Sequence, residues 1–157
     1  MGTIRVNGST SGYVELAAPA VAGSVVMTLP ATTGTLAVET GAWTAWTPTI
    51  TAQTGSITTY VVDQAAYSKI GRTVNVRLRF RITSAGTGSV LVVTTLPVVP
   101  LAGAGFVGVG VEEVNTGKSL VIFRASDSQA YIAFYDGTYP GAVNARIQLA
   151  WTYESAA

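Results

Sequence analysis

An all-β, antiparallel fold is what the residues predict, on three observations. In 73–82, TVNVRLRFRI, Val74, Val76, Leu78, Phe80 and Ile82 share one parity while Thr73, Asn75, Arg77, Arg79 and Arg81 share the other, the period-two signature of a strand with one buried and one wet face. β-Branched and aromatic runs recur at short intervals from Trp43 onward, punctuated by Gly, Asn and Asp turn chemistry. Hydrophobic residues make up 48% of the 157, enough for a core in one domain of ordinary size. The expected architecture is an antiparallel β-sandwich of jelly-roll type over 43–157, preceded by an extended N-terminal β arm over 1–42.

The arm is built of short apolar pieces broken by Gly, Ser, Thr, Pro and Ala, with Arg5, Glu15 and Glu39 as its charges. Short strands are expected at 13–16, 24–29 and 35–38, and pieces of this size bury too little to stand alone. Residues 41–48, GAWTAWTP, mark the boundary. Two tryptophans three apart and a closing proline suit a lead-in strand that plugs one end of the sandwich. Strands follow at 45–51, 56–62, 64–70, 72–83, 89–95, 105–114, 118–125, 129–135 and 142–153, a density that matches the sandwich class. Gly71, the 85–88 loop AGTG, Asn115-Thr-Gly117 and Asp136-Gly137 supply the turns between them. Leu96-Pro-Val-Val-Pro100 is expected as an edge or crossover, because each proline removes a ladder donor.

Composition excludes several function classes. The chain has no Cys and no His, which removes disulfides, thiolate nucleophiles, Cys/His zinc sites and imidazole catalysis. No cofactor, metal or catalytic residue is expected. Nine basic and eight acidic residues nearly cancel, so the field that non-specific nucleic-acid binding relies on is missing. No apolar run reaches membrane-spanning length, and the opening residues lack a basic stretch followed by an apolar run, so neither membrane insertion nor a leader is expected. Charged residues are only 11% of the chain against roughly 25% for an ordinary soluble protein. Burial of surface against copies of the same chain is the expectation.

The motifs that invite chemistry are weak on inspection. Gly103-Ala-Gly105-Phe-Val-Gly108 spells a dinucleotide fingerprint, but its glycines lead into a Val-rich strand instead of opening a helix. Gly117-Lys118-Ser119 ends like a phosphate loop, yet Glu112 stands where the upstream glycine belongs. Glu112 and Glu113 are adjacent on an expected strand and so point to opposite faces, which prevents them from acting as a glycosidase pair. Arg77, Arg79 and Arg81 form a like-charge ladder. It calls for anions opposite, either cross-strand carboxylates, a neighbouring subunit or an anionic surface. Asp136 and Tyr139 share a loop; a ring beside a carboxylate suits a sugar-binding surface, and Tyr139 packed back on the domain is the competing reading.

The run GSTSGYVELAAPAVAGSVVMTLPATTGTLA, residues 8–37, resembles a module of tailed-bacteriophage tail fibre and related virion proteins, in which the Gly-Ser-Thr-Ser-Gly turn, the Ala-Pro-Ala segment and Thr-Leu-Pro followed by Gly-Thr-Leu recur in that order. Residues 43–97 resemble the same group through WTPTI, AAYSKIGRTVNVRLRFRIT, a Gly-rich turn and TLP. The resemblance implies a connector ahead of a β-rich domain, a homotrimer, a place on the virion surface and no catalysis. It leaves two placements open, a capsid decoration (cement or head-fibre) protein or a tail fibre and receptor-binding tip. The resemblance and the apolar arm together give residues 1–42 as the anchor to other capsid or tail proteins. Host surface glycan is a further partner to test. The alternative from another class is a carbohydrate-binding or carbohydrate-degrading tail protein acting on host polysaccharide.

Overall fold

The computed structural model describes residues 3–7, 10–17 and 42–156, and all regular structure among them is β. The chain divides into two compact units, Met1–Leu36 and Ala37–Ala157.

In the first unit β1 (Thr3–Asn7) and β2 (Tyr13–Ala17) pair antiparallel, with Thr3 opposite Ala17 and Asn7 opposite Tyr13. Gly12 adopts φ +77° at the turn, a conformation that side chains other than Gly enter at a cost. Arg5 lies directly opposite Glu15, 3.1 Å away, and its guanidinium also covers the Tyr13 ring at 3.9 Å. The expected strand at 13–16 is present. Its partner at 3–7 was legible as Ile4 and Val6 alternating with Thr3, Arg5 and Asn7, but the sequence reading did not single it out. The expected strands at 24–29 and 35–38 lie outside the described residues.

In the second unit nine strands form one continuous antiparallel sheet. They are β3 (Thr44–Ala45), β4 (Ile50–Thr54), β5 (Thr59–Ile70), β6 (Thr73–Ser84), β7 (Ser89–Thr95), β8 (Val107–Glu112), β9 (Ser119–Arg124), β10 (Gln129–Phe134) and β11 (Arg146–Glu154). Their spatial order is β3-β5-β6-β11-β8-β9-β10-β7-β4. The sheet curls into a half-barrel. The chain itself shows the curl, since β3 pairs with β5 at one edge, β4 pairs with β7 at the other, and only residues 46–49 separate them. Those few residues span less than about 20 Å even when extended. A second seam lies where Thr87 N–H donates to Ser56 O and Thr58 N–H donates to Ser84 O, so the 55–58 and 85–88 links run side by side.

The concave face holds the core. Val74, Val76, Leu78, Phe80 and Ile82 of β6 are all buried, and Tyr153, Trp151, Leu149 and Ile147 of β11 stand opposite the first four. Ile50, Val92, Leu120, Ile122, Ala130, Ile132 and Phe134 complete the cluster from the other arm of the curl. Phe106 stacks on Tyr153 with ring centroids 5.3 Å apart.

Most strand ends fall within two residues of expectation, and three segments differ by more. The strands expected at 56–62 and 64–70 are one strand, β5, with register shifts at Thr59/Tyr60 and Val62/Gln64. The second bulge inserts Asp63, and an inserted residue flips the alternation, so inward Tyr60 and Val62 are followed by inward Ala65 and Tyr67. The segment 45–51 is not one strand but two on opposite edges, with Pro48 in the link. Residues 142–145 form a turn, closed by Ala145 N–H to Ala142 O with Asn144 at φ +65°, and the strand starts at Arg146. The proline-bearing 96–100 segment stays out of the sheet, held by a bridge between Pro100 and Ser155.

Candidate functional site

The candidate site is the convex face of the sheet. The alternation of β6 that buries its apolar side chains sends Arg77, Arg79 and Arg81 outward, and the ladder meets carboxylates of its own chain. Arg79 donates to Glu113 at 2.6 Å. Arg81 and Arg146 both approach Asp63, each at 3.9 Å, because the β5 bulge turns that carboxylate toward them. Arg77 differs from its neighbours: it lies 4.0 Å over the Trp43 ring and has no carboxylate partner among the described residues. A shallow groove of about 440 Å³ runs beside this stack, lined by Trp43, Asn75, Arg77, Ala150 and Thr152.

Next to the arginines the face becomes apolar. Strand β8, VGVGVE, points Val107, Val109 and Val111 outward, where they are 72%, 68% and 37% exposed. Its inward positions are Gly108 and Gly110. A Cβ on Gly108 would collide with the Trp151 side chain, and one on Gly110 with the Gln148 carbonyl and Leu149, so β11 fills the space that β8 leaves. Cross-strand register extends the stripe, with Val109 opposite Val121 and Val107 opposite Phe123 on β9, then Phe123 opposite Tyr131 on β10. The Phe123 and Tyr131 rings meet edge to face at 5.7 Å.

Glu112 ends β8 and points the other way. It is fully buried. Its carboxylate accepts N–H bonds from Val114 (3.0 Å), Asn115 (3.0 Å), Thr116 (2.6 Å) and Arg146 (3.2 Å), and the Thr116 hydroxyl at 2.9 Å. Burial alone would raise its pKa, but the backbone donors of the 113–116 turn outweigh burial and hold it down at about 2. Glu113, one residue on, faces out to Arg79, so the two carboxylates diverge as the sequence predicts. The role of Glu112 as the cap of its own turn was not foreseen, since it depends on four donors folding back over one side chain.

Asp136 and Tyr139 do not form a shared sugar platform. Asp136 pairs with Lys118 at 2.9 Å and accepts from the Thr138 amide at 3.0 Å and from the Thr138 hydroxyl. The Lys118 bond first and the Thr138 bonds after it push its carboxyl well below the usual carboxylate range. Tyr139 turns inward and packs on the core cluster, with Gly141 and Gly88 leaving room for the ring. Its hydroxyl is buried without a hydrogen-bond partner, and burial pushes its pKa up. The ring that does reach solvent beside Asp136 is Tyr135, 69% exposed, which sequence reasoning passed over because its parity on the strand was set only by the end of β10.

The fingerprint at 103–108 holds a turn at Gly103, φ +76°, followed by strand β8 and no helix, so no helix N-terminus is present to receive a pyrophosphate. Among the described residues no group of three metal-ligating side chains converges, and no helix is long and apolar enough to cross a membrane. Comparison of the chain with protein-family models, curated proteins and solved structures gives no match.

Proposed function

We propose that this chain is a non-enzymatic structural protein of a phage particle, displayed on the virion surface as a homotrimer. The observation that carries this reading is what the convex face offers. Each carboxylate among the described residues is already engaged by a cation or a capping donor: Glu15 by Arg5, Asp63 by Arg81 and Arg146, Glu113 by Arg79, Asp127 by Arg124, Asp136 by Lys118, Glu154 by Arg72 and Glu112 by its turn. Beside the Asp63 and Glu113 pairs of the convex face lies an uncharged stripe of valines and rings, the chemistry of a contact surface and not of a reaction. The phage-like runs at 8–37 and 43–97 supply the biological setting.

The finer architecture belongs to the same proposal. We read the curled sheet as a jelly roll, a reading that the neighbour relations β6-β11-β8-β9 and β10-β7 support, with residues 1–42 as the arm that anchors to other capsid or tail proteins. Decoration of the capsid and a tail fibre or receptor-binding tip both fit. The exposed Tyr135 beside Asp136 favours adding host surface glycan to the partners of a tip.

Particles carrying a labelled copy, imaged by electron microscopy, test the placement, and label on neither head nor tail defeats the reading. Incubation of the purified protein with host polysaccharide tests the alternative. Release of reducing ends would make it a carbohydrate-degrading protein, whereas retention on the glycan without release supports a receptor-binding tip.

A further inference from the structure

Strand β8 is built inside out. Before the buried Glu112 that ends it, its inward positions carry glycine and its outward ones valine, although a free strand gains nothing from presenting branched aliphatic side chains to water. The stripe it starts runs through Val121, Phe123 and Tyr131 and carries no charge, so a nucleic acid or a charged partner finds nothing there to pair with. Its two flanks differ. On the β6 side stand Arg77, Arg79, Arg81 and, on β11, Arg146, against Asp63 and Glu113, which leaves the flank cationic. On the far side the flank is aromatic, with Tyr131 and exposed Tyr135.

Resting on the homotrimer proposed above, we infer that this convex stripe is the surface by which copies of the chain meet. They pack head to tail, the arginine flank of one copy against the aromatic flank of the next. Stacking like flank on like flank would set guanidinium against guanidinium, whereas the head-to-tail arrangement brings a cation to the negative face of a ring. Arg77 already makes this contact within the chain, on Trp43. A head-to-tail contact is heterologous, and it closes into a ring when its rotation is one third of a turn. The 11% charge content of the chain has the same cause, since surface hidden between copies needs no charge to stay in water.

The test is sedimentation equilibrium of the full chain at micromolar concentration, with circular dichroism to confirm the β spectrum. Wild type is expected to sediment as a trimer and Val109→Asp as a folded monomer, while Val99→Asp, exposed in the 96–100 segment outside the sheet, remains trimeric. Should Val109→Asp fail to fold, the doubly substituted Val107→Thr, Val109→Thr chain keeps shape and strand propensity and is expected to weaken association by at least about tenfold. A wild-type trimer with both variants still trimeric overturns this interface and leaves the homotrimer standing, whereas a wild-type monomer overturns the homotrimer itself. The direction of packing is read separately. The natural chain has no cysteine, so a short bis-maleimide should link the Arg77→Cys, Tyr135→Cys double variant between copies and neither single variant. Linkage of the Arg77→Cys single variant would mean like flank meets like flank and would overturn the head-to-tail arrangement.

Discussion

Strands β6 and β8 are separated by β11 alone, yet they obey opposite rules. In β6 the apolar side chains go in and the arginines go out; in β8, up to the Glu112 carboxylate that ends it, nothing but hydrogen goes in and the valines go out. The difference teaches that the core dictates which side chains β6 buries, whereas the valines of β8 lie on the face the core does not use. Strand β11 serves both neighbours, placing Leu149 opposite Leu78 on one side and opposite Gly110 on the other, so the bulk absent from β8 is supplied by the residue beside it.

The comparison breaks most visibly with a charge placed on each strand. Leu78→Asp buries an unpaired carboxylate and should cost about 4 kcal/mol or more, enough to unfold the domain, whereas Val109→Asp should leave the stability of a single copy within about 1 kcal/mol. Denaturant midpoints of the two variants, compared at a concentration where both are monomeric, check the contrast. Equal losses would mean that the β8 valines are core after all.

A second expected effect concerns the end of β8. The Glu112 carboxyl lies lower folded than unfolded, about 2 against 4.5, so its contribution is fully present above pH 4.5 and disappears as the pH falls through 2. The shift corresponds to about 3 kcal/mol. Unfolding curves from pH 6 to pH 2 should show that loss in the wild type and a flatter profile in Glu112→Gln, which is already less stable at neutral pH.

Gly110→Ala is the next in size. Its methyl group would press on the Gln148 carbonyl and on Leu149, and overpacking of this kind costs about 2 kcal/mol. A variant as stable as the wild type in thermal melts would show that β8 is not seated on β11 as tightly as described. The smallest effect belongs to Val90, a β-branched residue at φ +71° that is mostly exposed. Val90→Gly should relieve that strain and stabilise the domain by up to about 1 kcal/mol, visible as a small rise in Tm.

Much of the sheet was legible because alternation is a local property. The strand at 89–95 was read to the residue, 73–84 nearly so, and the divergence of Glu112 and Glu113 follows from parity alone. The single strand β5 was read as two because an inserted Asp63 reverses the parity midway, and a parity reversal looks like a break. The split of 45–51 between opposite edges was hidden because pairing partners lie far along the chain. Of the candidate site, the arginine ladder and its need for carboxylates could be read from spacing, but its partners Asp63 and Glu113 could not. In VGVGVE the glycines leave the strand without an inward signature, so the sequence could not say which way the valines face.

The position of β11 has a consequence for how the protein is made. Residues 146–154 fill the gap between β6 and β8, so until they leave the ribosome the earlier strands can form two partial sheets with open edges but not the finished one. Completion of the sheet therefore waits on residues 146–154, and until they emerge the nascent chain carries unpaired strands of the kind that other chains can capture. Because the pairing of 146–154 with 73–81 joins distant parts of the chain, folding falls in the slow, non-local regime. Of the nine strands of this sheet, the last to be synthesised is the one that lets the rest stop being sticky.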